Sequence, residues 1–318
     1  MSASESPLSA APRLGRLRDW ALGLGLLLAL ILAVHFSVGW GPLLAPWLSL
    51  SSWLLAWLFL LSALSYGLRA YRVYDYFRPR LKGDFPVVLR LSVLHNTANN
   101  LLPMRAGELV FPWLMRRYFG HGMLESTAAL LWMRLLDLHF LALVALLILN
   151  LRHPSWLWWG LAGLWLAGLG LILLSGRIAG SRWLQGAATW RATLRRALGA
   201  APRDAWLLVR VYLWTGLIWV LKLAAFTSVL KFFLPLDLGR LLAGVLGAEL
   251  SSVLPFHGVA GSGSYELAAV AALLPFGVDP ELALAGAVNL HLFLLGVTLV
   301  LGGLALLLPK RAGQASEP

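Results

Sequence analysis

The chain has 318 residues, of which 59% are hydrophobic and only 13% charged, and its mean hydropathy is +0.77. A soluble domain carries roughly 25% charged residues, so this composition excludes an ordinary water-soluble fold and points to a polytopic helical membrane protein. The net charge of +12 is spread over short loops between apolar runs, which fits the cytoplasmic bias of lysine and arginine and not a nucleic-acid partner.

Residues 1–19 read as a polar cytoplasmic tail rich in Pro, Ser and Ala, with Arg13, Arg16 and Arg18 beside the membrane. The first apolar span covers residues 20–40. It reads as a retained helix, since no small-residue cleavage site follows a short apolar core. Residues 39–46 turn the chain, a second span covers 47–68, and a basic loop with Arg69, Arg72, Arg78, Arg80 and Lys82 follows. Residues 85–102 re-enter the membrane but carry Arg90, His95, Asn96, Asn99 and Asn100. After Pro103 to Glu108, the apolar piece 109–115 is only about 10 Å long, too short for a hydrocarbon core about 30 Å thick. Arg116 and Arg117 stop it. The economical geometry is a re-entrant hairpin over 85–117, entering from the cytoplasm, turning at 103–107 and returning.

A strong span at 124–150 contains Arg134, Asp137 and His139, and another covers 155–175. The basic loop 176–204 places Trp183, Ala187, Trp190, Leu194 and Leu198 at helical spacing opposite arginines. That pattern suits an amphipathic helix on anionic phospholipid headgroups, or equally a basic helix packed on the protein's own loops. The span 205–230 holds Arg210 and Lys222. Residues 237–254 are interrupted by Arg240, Glu249, Ser251 and Ser252. A break from Pro255 to Glu266 follows, then a return at 267–276, a last span at 282–308 and a tail at 309–318.

The two interrupted segments match. Each begins near an aspartate (Asp84, Asp237), reaches a Leu-Pro (Leu102-Pro103, Leu254-Pro255), then carries glycine and glutamate (Gly107-Glu108; Gly261, Gly263, Glu266). Each half reads span, span, hairpin, span. The expected fold is an all-α polytopic membrane protein with about six full transmembrane helices plus two re-entrant helical hairpins in an inverted repeat. It is one transmembrane domain, 20–308, with a first repeat at 20–150 and a second at 155–308 whose hairpin is 237–277. With both termini inside, Arg152, Lys231 and Arg240 lie outside. Arg90, Arg105, Arg134, Arg210 and Lys222 lie in the membrane zone, and the rest of the 26 Lys and Arg are cytoplasmic.

Polar and ionisable groups at membrane depth are costly and concentrate where they face a cavity or a functional site. The candidate substrate-binding residues are Asn96, Asn99, Asn100, Pro103, Arg105, Gly107, Glu108, Arg134, Asp137, Glu249, Ser251, Pro255, Gly261, Gly263 and Glu266. A broken helix offers half-helix N-termini that favour anions, and Arg105 adds a planar fork suited to phosphate. Arg134 and Asp137 share a helix face at i, i+3 and can pair. The set suits a phosphorylated amphipathic substrate such as a lipid headgroup; the alternative is that these groups only tie broken helices together. The histidines lack the spacing of a helical zinc motif, the absence of cysteine excludes a thiolate site, and no metal or other cofactor is expected. Gly261-Ser262-Gly263-Ser264 lacks the glycine spacing of a nucleophile elbow, so no catalytic residue is assigned.

The run Asn100-Leu101-Leu102-Pro103-Met104-Arg105-Ala106-Gly107-Glu108 resembles the N-x-x-P-x-R-x-G-E signature of the flippase-like, lysylphosphatidylglycerol synthase transmembrane family. Arg134-Leu135-Leu136-Asp137 resembles its R-x-x-D motif, with Met133 where the family usually has glutamate. Leu254-Pro255 through Gly261, Gly263 and Glu266 is similar to its C-terminal proline/glycine/glutamate element, with Phe256-His257 replacing the usual proline-rich start. The resemblance covers residues 15–308. It implies a module that moves or presents lipids such as aminoacylated phosphatidylglycerol, polyprenyl-linked sugars or hopanoids, without the synthase domain that would follow.

The expected function is therefore an inner-membrane lipid flippase or transporter, not an enzyme, with a membrane lipid as its substrate. Two alternatives stand beside it: a membrane enzyme on a lipid-linked substrate, and a non-transporting anchor for a soluble synthase partner.

Overall fold

A computed structural model describes residues 17–78, 81, 84–185, 189–202, 204–251 and 258–310, with the side chains of Asp19, Met104 and Arg105 left aside. Its regular structure is helical, as lipid demands of chains whose backbone groups must be satisfied within the segment. In chain order the helices are α1 (Leu17–Ala33), α2 (Trp40–Leu48), α3 (Ser52–Phe77), α4 (Phe85–Leu101), α5 (Val110–Phe119), α6 (Met123–Arg152), α7 (Trp156–Ala167), α8 (Leu174–Ala179), α9 (Thr189–Gly199), α10 (Ala205–Phe233), α11 (Leu238–Leu250), α12 (Ser264–Leu273) and α13 (Pro280–Leu306).

Seven helical stretches among the described residues are long and apolar enough to cross a membrane. Six fall at the six expected spans. The seventh, Val259–Phe276, takes in the expected return 267–276 together with the end of the break before it, where φ is positive at Ala260, Gly261 and Gly263. Boundaries follow local chemistry. Ser51, Ser155, Asp204, Asp237 and Asp279 accept hydrogen bonds from backbone N–H groups in the first turns that they cap, while Asp84 makes no such bond.

Three expectations need correction. Residues 39–46 do not simply turn the chain: after Gly39 (φ 79°) they form most of α2, and the second turn comes at residues 49–51. Helix α3 does not stop at 68 but runs to Phe77, so Arg69 and Arg72 lie inside it and are buried, not in a loop. The basic segment is not one amphipathic helix. Trp183 lies in a 3₁₀ turn, Arg182–Gln185, separate from α9, and Ala187 lies outside the described residues. The end of α9 docks on the protein itself: Trp132 Nε1 donates to the Ala197 carbonyl at 2.8 Å, and the Tyr76 hydroxyl donates to that of Ala200.

Helices α3 and α10 pack antiparallel along much of their length. Ser65 meets Ile218 at one level, Arg72 meets Thr215 nearer the end of α3, and Asp75 meets Arg210 beyond it. The polar side chains Ser62, Ser65, Tyr66, Arg69 and Arg72 recur at helical spacing along α3 and are all buried.

The first interrupted segment folds as α4, a 3₁₀ turn over Pro103–Leu109, and α5 packed back on α4. Leu102, ahead of the proline, is extended (φ −84°, ψ 137°), as its ring requires. The second folds as α11 and α12 packed together, with a 3₁₀ turn at Val259–Gly261. Each has its own apolar core: Leu91, Phe111, Met115 and Met133 around the first, Val245, Tyr265, Leu273 and Leu290 around the second.

Their outer ends lie at opposite ends of α6. Helix α5 ends a short loop before Met123, whereas Arg152 at the far end of α6 stacks on Phe276 (4.1 Å) after α12. Arg90 near the start of α4 donates to the carbonyls of Ala305, Leu306 and Leu308 at 2.6–2.8 Å, tying it to the C-terminal end of α13. The two 3₁₀ turns meet each other, and α1 crosses them. A Cβ at Gly23 would stand 3.0 Å from Val259 and 3.1 Å from Pro103, so only a glycine lets α1 lie this close to both.

Candidate functional site

The contact between the two broken segments leaves a cavity of about 760 Å³ bounded by α3, α4, α6, α10, α11, α12 and α13, within the range of small-molecule sites. Eight candidate residues line it: Asn96, Asn99, Asn100, Glu108, Arg134, Asp137, Glu249 and Gly261. Sequence positions more than 150 residues apart therefore share one chamber.

Glu108, delivered by the 3₁₀ turn, receives Arg134 Nη2 at 3.1 Å and Asn99 Nδ2 at 3.1 Å, with His95 Nε2 at 4.0 Å. Asn100 Nδ2 donates to the Tyr66 hydroxyl (3.1 Å) and to Thr298 Oγ1 (2.8 Å), joining α4 to α3 and α13. Asp137 accepts from Arg72 at 2.6 and 3.2 Å and from Trp219 Nε1 at 3.0 Å. Arg134 pairs with it as expected, Nη1 to Oδ2 at 4.0 Å, but makes its closer contact with Glu108. Lys222 Nζ reaches Glu249 at 2.5 Å.

The other candidates among the described residues do not line the chamber. Gly107 is a packing residue: a Cβ there would stand 2.3 Å from the Asn99 backbone nitrogen, and its carbonyl accepts from His95 Nδ1 at 3.2 Å. Pro103 is buried under α1. Ser251 donates to the Ala248 carbonyl of its own helix at 2.6 Å. Gly263, at φ 82°, sits against the backbone of Leu26, and its N–H is held by Glu266 Oε2 at 2.8 Å. Glu266 is 2% exposed and paired with His291 at 2.5 Å, so it fastens the second break. Pro255 and the side chain of Arg105 lie outside the described residues.

Sequence reasoning missed Arg69, Tyr66, Trp219, Tyr265 and His291 as lining residues, and it placed Lys222 at membrane depth without assigning it to the site. The polar periodicity along α3 was the available signal for Tyr66 and Arg69. One rim is apolar and open: Leu109, Leu131 and Leu135 line the cavity yet are 50%, 58% and 51% exposed. Leu131 and Leu135 lie one turn apart on a helix apolar enough to span, so the chamber opens sideways where lipid would cover the protein.

Fold and site together define a polytopic helical membrane protein with a charged chamber opening to the side. The sequence profile of the family described as the lysylphosphatidylglycerol synthase TM region matches residues 20–302, and the chain belongs to that family. A comparison with curated proteins returned no match.

Proposed function

We propose that the protein is a lipid flippase of the inner membrane that moves a phosphate-containing amphipathic lipid between leaflets. The observation that carries this is a single cavity combining a charged interior (Arg69, Glu108, Arg134, Lys222, Glu249) with an exposed leucine rim on α6. A headgroup fits the interior while acyl chains leave past Leu131 and Leu135. Membership of a family named for a lipid synthase's membrane region supports the same substrate class.

In this reading the broken segments are re-entrant hairpins of an inverted repeat, entering from opposite faces. Their outer ends at opposite ends of α6, their meeting tips and the antiparallel packing of α3 on α10 support it. Both termini are cytoplasmic, and rocking of the halves exposes the headgroup site to each leaflet in turn.

The test is reconstitution in vesicles carrying fluorescent phosphatidylglycerol or a polyprenyl phosphate, with chemical quenching of the outer leaflet. Scrambling above that of protein-free vesicles is expected. No excess over protein-free vesicles rejects transport. New lipid product in detergent, with no second leaflet, would favour an enzyme. Inactivity alone with stoichiometric co-purification of a soluble synthase would favour the anchor.

A further inference from the structure

We propose that Arg69, backed by Trp219, is the receptor for the headgroup phosphodiester, and that the chamber selects lipids whose headgroup is net anionic. The assignment rests on the lipid-transport reading above and deepens it.

Arg69 is 8% exposed and lines the cavity. The other described cations that line the chamber are matched, Arg134 with Glu108 and Lys222 with Glu249, and Arg72 behind it is matched with Asp137. Among the described residues Arg69 forms no ion pair: Asp137 and Glu249 attract it from beyond that distance, each already bonded to another cation, and its guanidinium lies over the ring of Trp219 at 5.3 Å. A buried guanidinium with no directly bonded anion is costly, and five donors in a fixed fork match a phosphate better than any other common ligand. Tyr265 also lines the cavity, is 4% exposed, and its hydroxyl has no hydrogen-bond partner among the described residues.

The repeat explains the vacancy. Lys222 follows Arg69 by the same interval that separates Asp237 from Asp84, so the two cations occupy equivalent positions in α10 and α3. Both face Trp219 at 5.3 Å. The prolines that end these segments, Pro103 and Pro255, set the interval one residue shorter, so Glu249 falls opposite Asn96 or Thr97, and of these Asn96 lines the cavity. Glu249 lines it too, but Glu249 neutralises Lys222 and Asn96 carries no charge. One half of the repeat thus supplies its own carboxylate, and the other leaves that place for an anion from outside. The leucine rim makes a lipid headgroup the source. A headgroup bearing an added cation, such as an esterified lysine, would put a second positive charge into a chamber whose carboxylates are already paired.

The experiment measures fluorescent phosphatidylglycerol binding to the purified full chain in nanodiscs, with phosphatidylcholine and free glycerol phosphate as competitors. Wild type should bind phosphatidylglycerol, resist phosphatidylcholine, and ignore glycerol phosphate. Arg69→Gln should weaken binding by about tenfold or more, the scale of one lost charge-assisted contact. Arg69→Lys should fall between, since it keeps the charge and loses the fork. Asn96→Glu should supply the missing carboxylate and abolish binding while leaving the thermal midpoint unchanged or raised. If Arg69→Gln does not fold, Arg69→Lys and Asn96→Glu decide. Phosphatidylglycerol binding unchanged in all folded variants overturns the Arg69 assignment and leaves the lipid reading standing. Equal competition by phosphatidylcholine overturns the selectivity. Displacement by glycerol phosphate makes the ligand a free phosphate. A wild type that binds no lipid removes the functional reading itself.

Discussion

Asp137 is held more closely by Arg72, 65 residues earlier on α3, at 2.6 Å, than by Arg134 one turn away on its own helix, at 4.0 Å. Both side chains are about 95% buried, and Thr215 and Trp219 on α10 complete the cluster, so one ion pair locks α3, α6 and α10 together. Removing one partner from such a pair leaves an uncompensated buried charge at a cost of about 3–5 kcal/mol. Arg72→Ala and Asp137→Ala should therefore each lower the thermal midpoint in detergent sharply. The double variant Arg72→Met/Asp137→Leu should recover most of the loss. A double variant as unstable as the singles would contradict this account.

The Arg134–Glu108 pair should behave in the opposite way. About a quarter of each side chain faces the cavity, and partly solvated pairs contribute about 0–1 kcal/mol. Glu108→Gln and Arg134→Gln are expected to fold normally yet reduce lipid translocation by about tenfold, the effect of one displaced charge-assisted contact. Normal transport in both would take the first broken segment out of the mechanism.

Gly107 tests the packing of that segment. A methyl group there would stand 2.3–2.5 Å from the backbone of Ala98 and Asn99, which cannot yield as a flexible side chain can. Gly107→Ala should cost about 3 kcal/mol or more through overpacking, seen as low yield or early aggregation on size-exclusion chromatography. Gly25→Ala is the control, because nothing lies within 4 Å of its added carbon.

The crossing of α1 over the two 3₁₀ turns depends on Gly23, where a Cβ would lie 3.0 Å from the Val259 backbone and 3.1 Å from Pro103. Gly23→Leu should push α1 off both turns, lower the thermal midpoint in detergent and reduce transport, whereas Gly25→Leu, with nothing within 4 Å of its Cβ, should do neither. A Gly23→Leu protein as stable and active as wild type would mean that α1 need not lie against these turns.

The chain has no cysteine, so single cysteines can report sidedness. Trp156 and Trp190 are exposed near the starts of α7 and α9. Trp156→Cys should react with an impermeant maleimide from outside intact cells, and Trp190→Cys only after permeabilisation. The reverse pattern would invert the proposed orientation.

Much of this was legible in the sequence because lipid imposes simple rules. Apolar length fixed the six spans, and Pro103 with the short piece before Arg116 marked the break. The asparagine run with Glu108 and Arg134 marked polar groups that needed a cavity. Periodicity was misread where a helix continued past its apolar stretch: Leu68 ends the greasy run of α3, but backbone hydrogen bonding carries the helix to Phe77 and takes Arg69 and Arg72 inward.

What the sequence alone determined was composition-level physics: a helical membrane chain, the places of six of its apolar spans and the places where it breaks. Which charges meet most closely in the chamber was decided only by the tertiary structure, because those partners lie on different elements and local spacing carries no record of them. Arg134 and Asp137 stand 4.0 Å apart, as their i, i+3 spacing predicts, yet α3 brings Arg72 closer to Asp137, and the 3₁₀ turn brings Glu108 closer to Arg134. Those closer pairs leave Arg69 in the chamber without a directly bonded carboxylate, a consequence of how the helices pack.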